Sequence, residues 1–191
     1  LHNLRMKHVL QALLFGLLPL APVPGWAGAC PPVPEHTAQM QGLIAQLQQA
    51  ETQIEGQRLS DALWALWADA PDEAAQAVLD AGMSKRTVYD YAGAMAEFDR
   101  LVDYCPDYAE GYNQRAFIHY LRGDYTPALG QLDEALQRQP LHIAALAGKA
   151  LTLIAMGREA EGQMVLAQAL KLNPWLPERG LLRPELLGEE L

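Results

Sequence analysis

The chain has 191 residues, of which half are hydrophobic and 19% are charged. This composition is typical of a soluble globular protein with one domain, or with a small domain and an extension. The formal net charge is −9, and a surface with such an acidic excess repels nucleic acid and anionic lipid. Neutral or basic partners are therefore favoured.

Residues 1–29 have the form of a secretory signal peptide. Two basic residues precede an apolar run over 9–20, and no acidic residue occurs in this segment. The run is shorter than the ~20 residues that a membrane span needs, and residues 27–29, Ala-Gly-Ala, fit an Ala-x-Ala cleavage site. We expect translation to start at Met6 and cleavage to follow Ala29, with an uncleaved anchor as the alternative.

Both cysteines lie in the predicted mature chain. An even number of cysteines in an oxidising compartment indicates a disulfide, here between Cys30 and Cys105. Cys30 would also be the first mature residue, which is the position that carries the lipid in a bacterial lipoprotein. Residues 27–29 lack the large aliphatic residue of a lipobox. A lipid anchor on Cys30 and two free thiols are the alternatives.

Two helices are predicted ahead of the main part of the chain. Residues 30–36 contain three prolines in seven positions and form an extended leader. Residues 37–70 show helical spacing of apolar residues, with a break near Gly56 and with Trp64 and Trp67 on one face. Tryptophans three positions apart are typical of a buried helix face rather than of a ligand cage. We expect this segment to form an N-terminal helical cap.

From residue 71 to residue 174 the sequence repeats itself with a period of 34. Prolines occur at 106, 140 and 174, and each follows a small residue by 12 positions and a bulky residue by 8 positions. The small residues are Ala94, Ala128 and Gly162, and the bulky ones are Phe98, Leu132 and Leu166. Small residues let two helices approach closely, and bulky residues fill the space beside them.

This pattern resembles the tetratricopeptide repeat, a 34-residue helix-turn-helix unit. Three copies are in register, over 75–106, 109–140 and 143–174. The resemblance implies an all-α fold, a helical-hairpin solenoid of about three repeats in which each hairpin covers its neighbour. Residues 37–70 would cap the near end of this array. Leu101 stands at a position that is usually small, so we expect looser packing in the first copy.

Residues 175–191 form a C-terminal tail without the repeat pattern. Pro177 and Pro184 prevent one long capping helix over this segment. We therefore expect the far end of the array to be poorly covered, or to be covered by another chain. Self-association through residues 170–187 is one hypothesis that follows.

No catalytic, metal-binding or cofactor-binding residues are predicted. The histidines after residue 29 are not spaced for zinc binding, and the chain has no Gly-rich phosphate loop, GxSxG or HExxH. We expect a protein that is not an enzyme and that uses no cofactor.

In proteins of the tetratricopeptide-repeat family, the first helices of successive repeats line a concave groove. By register, the resemblance implies a groove lined by Met83 and Arg86 of the first copy, by Glu110, Asn113, Phe117, Tyr120 and Leu121 of the middle copy, and by Leu151 of the third. Family members that bind a C-terminal carboxylate have basic residues where this chain has Ala144 and Gly148. The resemblance therefore does not imply that this chain binds such a carboxylate.

Such a groove suits an extended or helical peptide. Asn113 could hold the backbone of the peptide while its apolar side chains pack on Phe117. The alternative is a groove filled by residues 37–70 of the same chain. The leading hypothesis is an exported, non-catalytic adaptor or scaffold, periplasmic or secreted, that binds a protein or peptide. The alternatives are a self-associating protein and a lipid-anchored envelope assembly factor.

Overall fold

The structure, a computed structural model, describes residues 28–187. Within that range it consists of α-helices, two short 3-10 helices and connecting segments, with no β-strand. The α-helices are α1 (Thr37–Gln49), α2 (Gln53–Trp67), α3 (Glu73–Thr87), α4 (Tyr91–Tyr104), α5 (Ala109–Leu121), α6 (Tyr125–Arg138), α7 (Ile143–Ala155) and α8 (Glu159–Leu172). The predicted all-α fold is confirmed. The predicted signal peptide, including Met6, lies outside the described residues except for its last two positions.

None of the helices between residues 28 and 187 combines the length and the hydropathy that a transmembrane segment requires.

Helices α3 to α8 form three consecutive hairpins, one for each predicted repeat. α3 packs on α4, α5 on α6 and α7 on α8, and neighbouring hairpins meet where α4 contacts α5 and α6 contacts α7. The turn inside each hairpin contains one residue with positive φ, namely Tyr89 at 63°, Gly123 at 79° and Gly157 at 78°. Glycine adopts this conformation without strain, whereas it costs a residue such as Tyr89 roughly 1–2 kcal/mol.

The small and bulky residues of the repeat pattern build the interior of the hairpins. Phe98, Leu132 and Leu166 are all buried, and so are the small residues that precede them. A Cβ atom added to Gly82 would lie 2.4 Å from the Phe98 ring, so the ring occupies space that only a glycine leaves open. Close approach of the two helices therefore depends on residue size, as the spacing predicts.

Packing in the first repeat is not loosened by Leu101, contrary to the expectation from its size. Leu101 is fully buried. The neighbouring helix α5 has Gly111 opposite, where an added Cβ atom would lie 3.5 Å from Leu101 and 3.1 Å from Val102. Because residue 111 is a glycine, it leaves the space that the side chain of Leu101 fills.

The N-terminal hairpin, formed by α1 and α2, packs on the third repeat and not at the near end, so the expected position of this cap is wrong. Helix α1 contacts α8. The apolar cluster that joins the N-terminal hairpin to the third repeat comprises Met40, Ile44, Leu47, Leu59, Leu63, Trp67, Ile143 and Ala169. Within residues 28–187 no further hairpin follows the third repeat, and the N-terminal hairpin buries the apolar surface that a next repeat would cover.

Trp175 joins the N-terminal hairpin to the start of the tail. Its indole Nε1 donates a hydrogen bond to the carbonyl oxygen of Leu47 at 3.3 Å. The backbone N–H of Trp175 donates to Asn173 at 2.9 Å, and the Asn173 amide donates to Ser60 of α2 at 2.9 Å. A Cβ atom added to Gly56 of α2 would lie 2.2 Å from the indole ring. These contacts hold the beginning of the tail in one position.

The rest of the tail folds into two 3-10 helices, Pro177–Leu181 and Pro184–Leu186, which lie against α8. The side chain of Gln163 on α8 donates to the carbonyl oxygen of Leu181 at 3.0 Å and accepts from the backbone N–H of Arg183 at 2.7 Å. The far end of the array is therefore covered by the chain itself, which corrects the expectation of a poorly covered end.

The predicted disulfide between Cys30 and Cys105 is present, with an S–S distance of 2.02 Å. It joins the proline-rich leader to the residue that follows α4, across 75 positions of sequence. Cys105 is buried in the core of the first repeat, and Cys30 packs against the same cluster. The leader is thereby attached to the array beside its first repeat.

Two glycine substitutions test the contact between the N-terminal hairpin and Trp175. Replacing glycine by alanine inside a helix ordinarily stabilises a protein by roughly 0.5–1 kcal/mol. We expect this gain for Gly42→Ala, because nothing lies within 4 Å of the added Cβ atom. We expect Gly56→Ala to lower the free energy of unfolding by about 1–3 kcal/mol instead, because the methyl group overlaps Trp175. Urea unfolding followed by circular dichroism measures both, and equal stabilisation by the two variants would contradict the contact.

Candidate functional site

A cavity of about 280 Å³ lies between α5 and α7, the first helices of the second and third repeats. Helix α5 contributes Asn113, Gln114, Ala116, Phe117 and Tyr120, and α7 contributes Ala144, Ala147, Gly148, Leu151 and Thr152. Leu132 of α6 lies behind them, and Leu176, Pro177 and Glu178 of the tail complete the lining. Two repeats and the tail thus build one site.

The depth of the cavity follows from the residue types on the two helices. The α7 side has small residues at 144, 147 and 148, whereas the α5 side has the large rings of Phe117 and Tyr120. A Cβ atom added to Gly148 would lie 3.2 Å from Leu132, so a side chain at this position would contact the residue behind the cavity. Small residues on one wall and aromatic rings on the other leave an apolar recess.

Four of the predicted groove residues lie together at this cavity: Asn113, Phe117, Tyr120 and Leu151. Phe117 is 43% exposed, so the recess opens to solvent on this side. The Tyr120 ring packs against Tyr125 with the ring centroids 5.7 Å apart. No residue of 37–70 lines the cavity. Trp67 is buried elsewhere and Trp64 is 40% exposed, so the N-terminal hairpin does not fill the groove.

The other predicted groove residues lie elsewhere. Met83 packs against the core of the first repeat. Leu121 is exposed but does not line the cavity. Glu110 is only 1% exposed, which corrects the expectation that it faces a partner. The repeat register places Glu110 on the inner side of α5, but contacts with other helices cover it there.

Arg86 of α3 lies beside the cavity and is held by two contacts. Its guanidinium group donates a hydrogen bond to the side-chain oxygen of Gln114. The guanidinium carbon also lies 5.0 Å from the centroid of the Phe117 ring, a cation–π contact. Burial lowers the pKa of Arg86 from its ordinary value, and the negative charge of Glu110 opposes that shift. The guanidinium group of Arg86 therefore packs against the exposed ring of Phe117.

A buried polar cluster centred on Glu110 lies next to the groove residues of α5. Its carboxylate accepts hydrogen bonds from Gln114 and from Asn113, the latter at 3.1 Å. It also meets Nε2 of His142 at 2.7 Å, and both of these side chains are at most 1% exposed. Because Glu110 binds the amide nitrogen of Asn113, the buried cluster orients a side chain that lines the open cavity.

The geometry of His142 determines where its ring proton lies. Nδ1 accepts a hydrogen bond from the backbone N–H of Ala145 at 3.3 Å, which caps the start of α7. An accepting Nδ1 carries no proton, so the proton is on Nε2 and is donated to Glu110. The ring of Trp67, at the end of α2, stacks on this imidazole with the centroids 4.6 Å apart. One histidine thus connects α2, α5 and α7.

This arrangement is structural rather than reactive. Both ring nitrogens of His142 are engaged and the ring is buried, so the imidazole has no free position for proton exchange with a substrate. Among residues 28–187, no group of three or more His, Cys, Asp and Glu side chains is arranged to hold a metal ion. What the site offers is an apolar recess with oriented amide and carboxylate groups.

Several lining residues were not predicted from the sequence. Gln114 and Thr152 are buried polar residues on the inner helices, and the 34-residue register could have placed them. The tail residues Leu176, Pro177 and Glu178 carry no repeat pattern. Their position depends on the packing of Trp175 against the N-terminal hairpin, which no local signal in the sequence indicates.

Comparisons with known proteins agree with this fold. No family model matches the chain. Over 66 residues, 35% of its length, the chain is 38% identical to the tetratricopeptide repeat protein 36 homolog of Nematostella vectensis. It is 32% identical over 66 residues to a TPR repeat-containing protein of Rhizobium etli. The matches cover 36% and 32% of those two proteins, so the chain spans about a third of the length of these relatives.

A solved structure shows the same fold. It is the TPR2B domain of yeast Sti1 in a complex with pHsp70, and it matches with a TM-score of 0.54 and 21% sequence identity. The match covers 58% of this chain and 91% of that one. The chain therefore shares its repeat sequence and its fold with tetratricopeptide-repeat proteins. The helical-hairpin solenoid expected from the 34-residue period is confirmed.

The buried polar cluster around Glu110 should contribute to the free energy of unfolding. Replacing Glu110 by alanine leaves His142 and Gln114 with buried donors that have lost their acceptor, and leaves Arg86 without its nearby negative charge. We expect Glu110→Ala to lower the free energy of unfolding by about 3 kcal/mol. Glu110→Gln keeps an acceptor in place, so we expect a smaller loss of about 1–2 kcal/mol. Urea unfolding measures both values.

Asp103→Ala is the matched control, because Asp103 is an exposed carboxylate on α4. Its effect should stay within about 0.5 kcal/mol. A loss for Glu110→Ala that is no larger than that of the control would contradict the buried cluster.

Proposed function

We propose that this protein is an exported adaptor that binds a segment of a protein or peptide partner in the groove between α5 and α7, and that it catalyses no reaction. The observation that carries the proposal is the apolar recess beside the exposed ring of Phe117. Exposed apolar surface next to a recess is typical of an interaction site rather than of a plain protein surface.

The groove residues supply both kinds of contact that an extended peptide needs. The rings of Phe117 and Tyr120 and the side chain of Leu151 provide apolar surface. The Asn113 amide nitrogen is held by Glu110, and its carbonyl oxygen has no hydrogen-bond partner among the described residues. That oxygen is an acceptor for a backbone N–H of a bound peptide.

The recess has room for a side chain of a bound peptide. It measures about 280 Å³ and is open beside Phe117, so the rest of a peptide can continue outside it. The similar domain of yeast Sti1 was solved in a complex with pHsp70, which supports a protein or peptide as the class of partner.

Export is the second part of the proposal. Disulfides persist in oxidising compartments such as the bacterial periplasm and the extracellular space. The Cys30–Cys105 disulfide fits such a compartment and fits cleavage of a signal peptide after Ala29. A lipid anchor would need the sulfur of Cys30 for a thioether, and that sulfur is bonded to Cys105. We therefore propose a periplasmic or secreted protein without a lipid.

A peptide selection tests the groove. Twelve-residue random peptides displayed on phage are selected on the folded mature protein, and an enriched peptide is then labelled for fluorescence polarisation. We expect the double variant Asn113→Ala/Phe117→Ala to weaken binding by about 30-fold or more. The reason is that truncation of a central aromatic anchor typically costs about 2 kcal/mol or more. Far-UV circular dichroism should show unchanged helix content.

Ile54→Ala is the control, since Ile54 is 85% exposed on α2 and does not line the recess. It should bind the same peptide with unchanged affinity. Enriched peptides that bind the double variant as tightly as the unmodified protein would place the binding surface elsewhere and refute the groove.

Processing and oxidation are tested by intact mass. The full chain is expressed in a Gram-negative host, and the protein recovered from the periplasm is measured before and after reduction. We expect a chain that begins at Cys30, carries no diacylglyceryl group, and gains two hydrogen atoms on reduction. Reduction should also lower the melting temperature, because closing a loop of 75 residues is worth roughly 4 kcal/mol in the chain-entropy description.

A protein that is absent from both the periplasm and the medium would overturn export. One that keeps the residues before Cys30, or that carries a lipid on Cys30, would overturn cleavage to a lipid-free chain. Cys30→Ala/Cys105→Ala serves as the control, because reduction should leave its melting temperature unchanged.

A further inference from the structure

Glu178, the second residue of the first 3-10 helix in the tail, brings a negative charge to the edge of the apolar recess. Glu178 lines the recess together with Leu176 and Pro177. The carboxylate oxygen Oε2 is withdrawn from solvent and has no hydrogen-bond partner in the described part of the chain. A carboxylate oxygen that is removed from water without a partner is unfavourable, and a bound donor would relieve that cost.

The cations closest to Glu178 in sequence are engaged with other groups. Arg179 donates to the carbonyl oxygen of Trp175 at 3.1 Å and to the side chain of Gln53 at 3.2 Å. Arg183 lies 3.5 Å from Glu159 on α8. Neither residue pairs with Glu178 among the contacts of residues 28–187.

Arg86, the cation beside the groove on the other side, does not compensate Glu178 either. Its guanidinium group bonds to Gln114 and lies over Phe117, and the charge that acts on it is that of the buried Glu110. The positive charge of Arg86 and the negative charge of Glu110 therefore offset each other. Among residues 28–187, the carboxylate of Glu178 therefore lines the recess without an ion-pair partner, in a chain whose net charge is −9.

The backbone that precedes Glu178 is held in place. Trp175 is held by its bonds to Leu47 and Asn173, and Pro177 restricts the backbone immediately before Glu178. A charged residue on a restrained backbone loses less conformational entropy when it binds a ligand than one on a free segment.

We propose that the groove selects a peptide segment in which an apolar side chain enters the recess and a neighbouring lysine or arginine pairs with Glu178. This inference rests on the proposed function, since it names the chemistry of the ligand for the same groove. A cationic side chain pairs with the carboxylate of Glu178, and a hydrogen bond between two charged groups is about twice as strong as a neutral one. An acidic segment would meet the carboxylate with like charge.

A position-scanning peptide library tests the inference. The peptides have nine residues and are acetylated and amidated, so that their terminal charges do not contribute. Leucine or phenylalanine occupies the centre, and each flanking position in turn carries lysine, glutamine or glutamate. At one or two positions we expect lysine to bind about tenfold more tightly than glutamine, and glutamate to bind more weakly. The preference should fall as the salt concentration rises from 50 to 300 mM.

Variants of Glu178 assign that preference to a residue. Glu178→Gln should abolish the preference for lysine, and Glu178→Lys should turn it into a preference for glutamate. Glu185→Gln, in the exposed second half of the tail and away from the recess, should keep the lysine preference unchanged. Melting temperatures of all three variants show whether the tail stays in place.

The outcomes separate this inference from the proposed function. Two results would overturn the role of Glu178 and leave the groove intact. In the first, peptides whose binding depends on Phe117 show no preference for lysine. In the second, the preference for lysine persists in Glu178→Gln. If the phage selection yields groove-dependent peptides but no member of the lysine library binds, the inference alone fails. If neither set of peptides binds the unmodified protein, both fail.

Discussion

Each hairpin of the array has an apolar face that only another element can cover, and this requirement governs the rest of the structure. At the third repeat the covering element is the N-terminal hairpin, whose apolar residues surround Ile143 and Ala169. The tail covers the adjacent part of α8. Burial at this one end therefore brings together the N-terminal hairpin, the tail and the last repeat, and it places tail residues at the groove.

The polar interior depends on the same packing. Trp67 at the end of the N-terminal hairpin stacks on His142, and His142 donates to Glu110. Glu110 in turn orients Asn113 at the recess and offsets the charge of Arg86. A buried carboxylate is stable only where donors and a positive charge surround it, and here those groups come from three different helices. The open groove and the buried cluster share the inner face of one helix, α5.

Residue size and spacing predicted which residues lie on the inner face of each helix. They did not predict how deeply each of those residues is buried. Phe117 and Asn113 were placed on the inner face of α5 by register, and both line the recess. Glu110 lies on the same helix by the same register and is buried, because His142 reaches it from the next repeat. Register identifies a face of a helix, whereas the depth of burial on that face depends on which neighbours reach it.

The sequence by itself determined the three hairpins, because their small and bulky residues meet within one 34-residue period and the turns lie between them. It also indicated the disulfide, since only two cysteines are present. Tertiary structure alone decided where the N-terminal hairpin and the tail lie. Their contacts, such as that between Trp175 and Leu47 across 128 positions, join segments that have no period. A periodic pattern reveals neighbours at a fixed spacing, whereas these segments are placed by the apolar surface that the last repeat leaves uncovered.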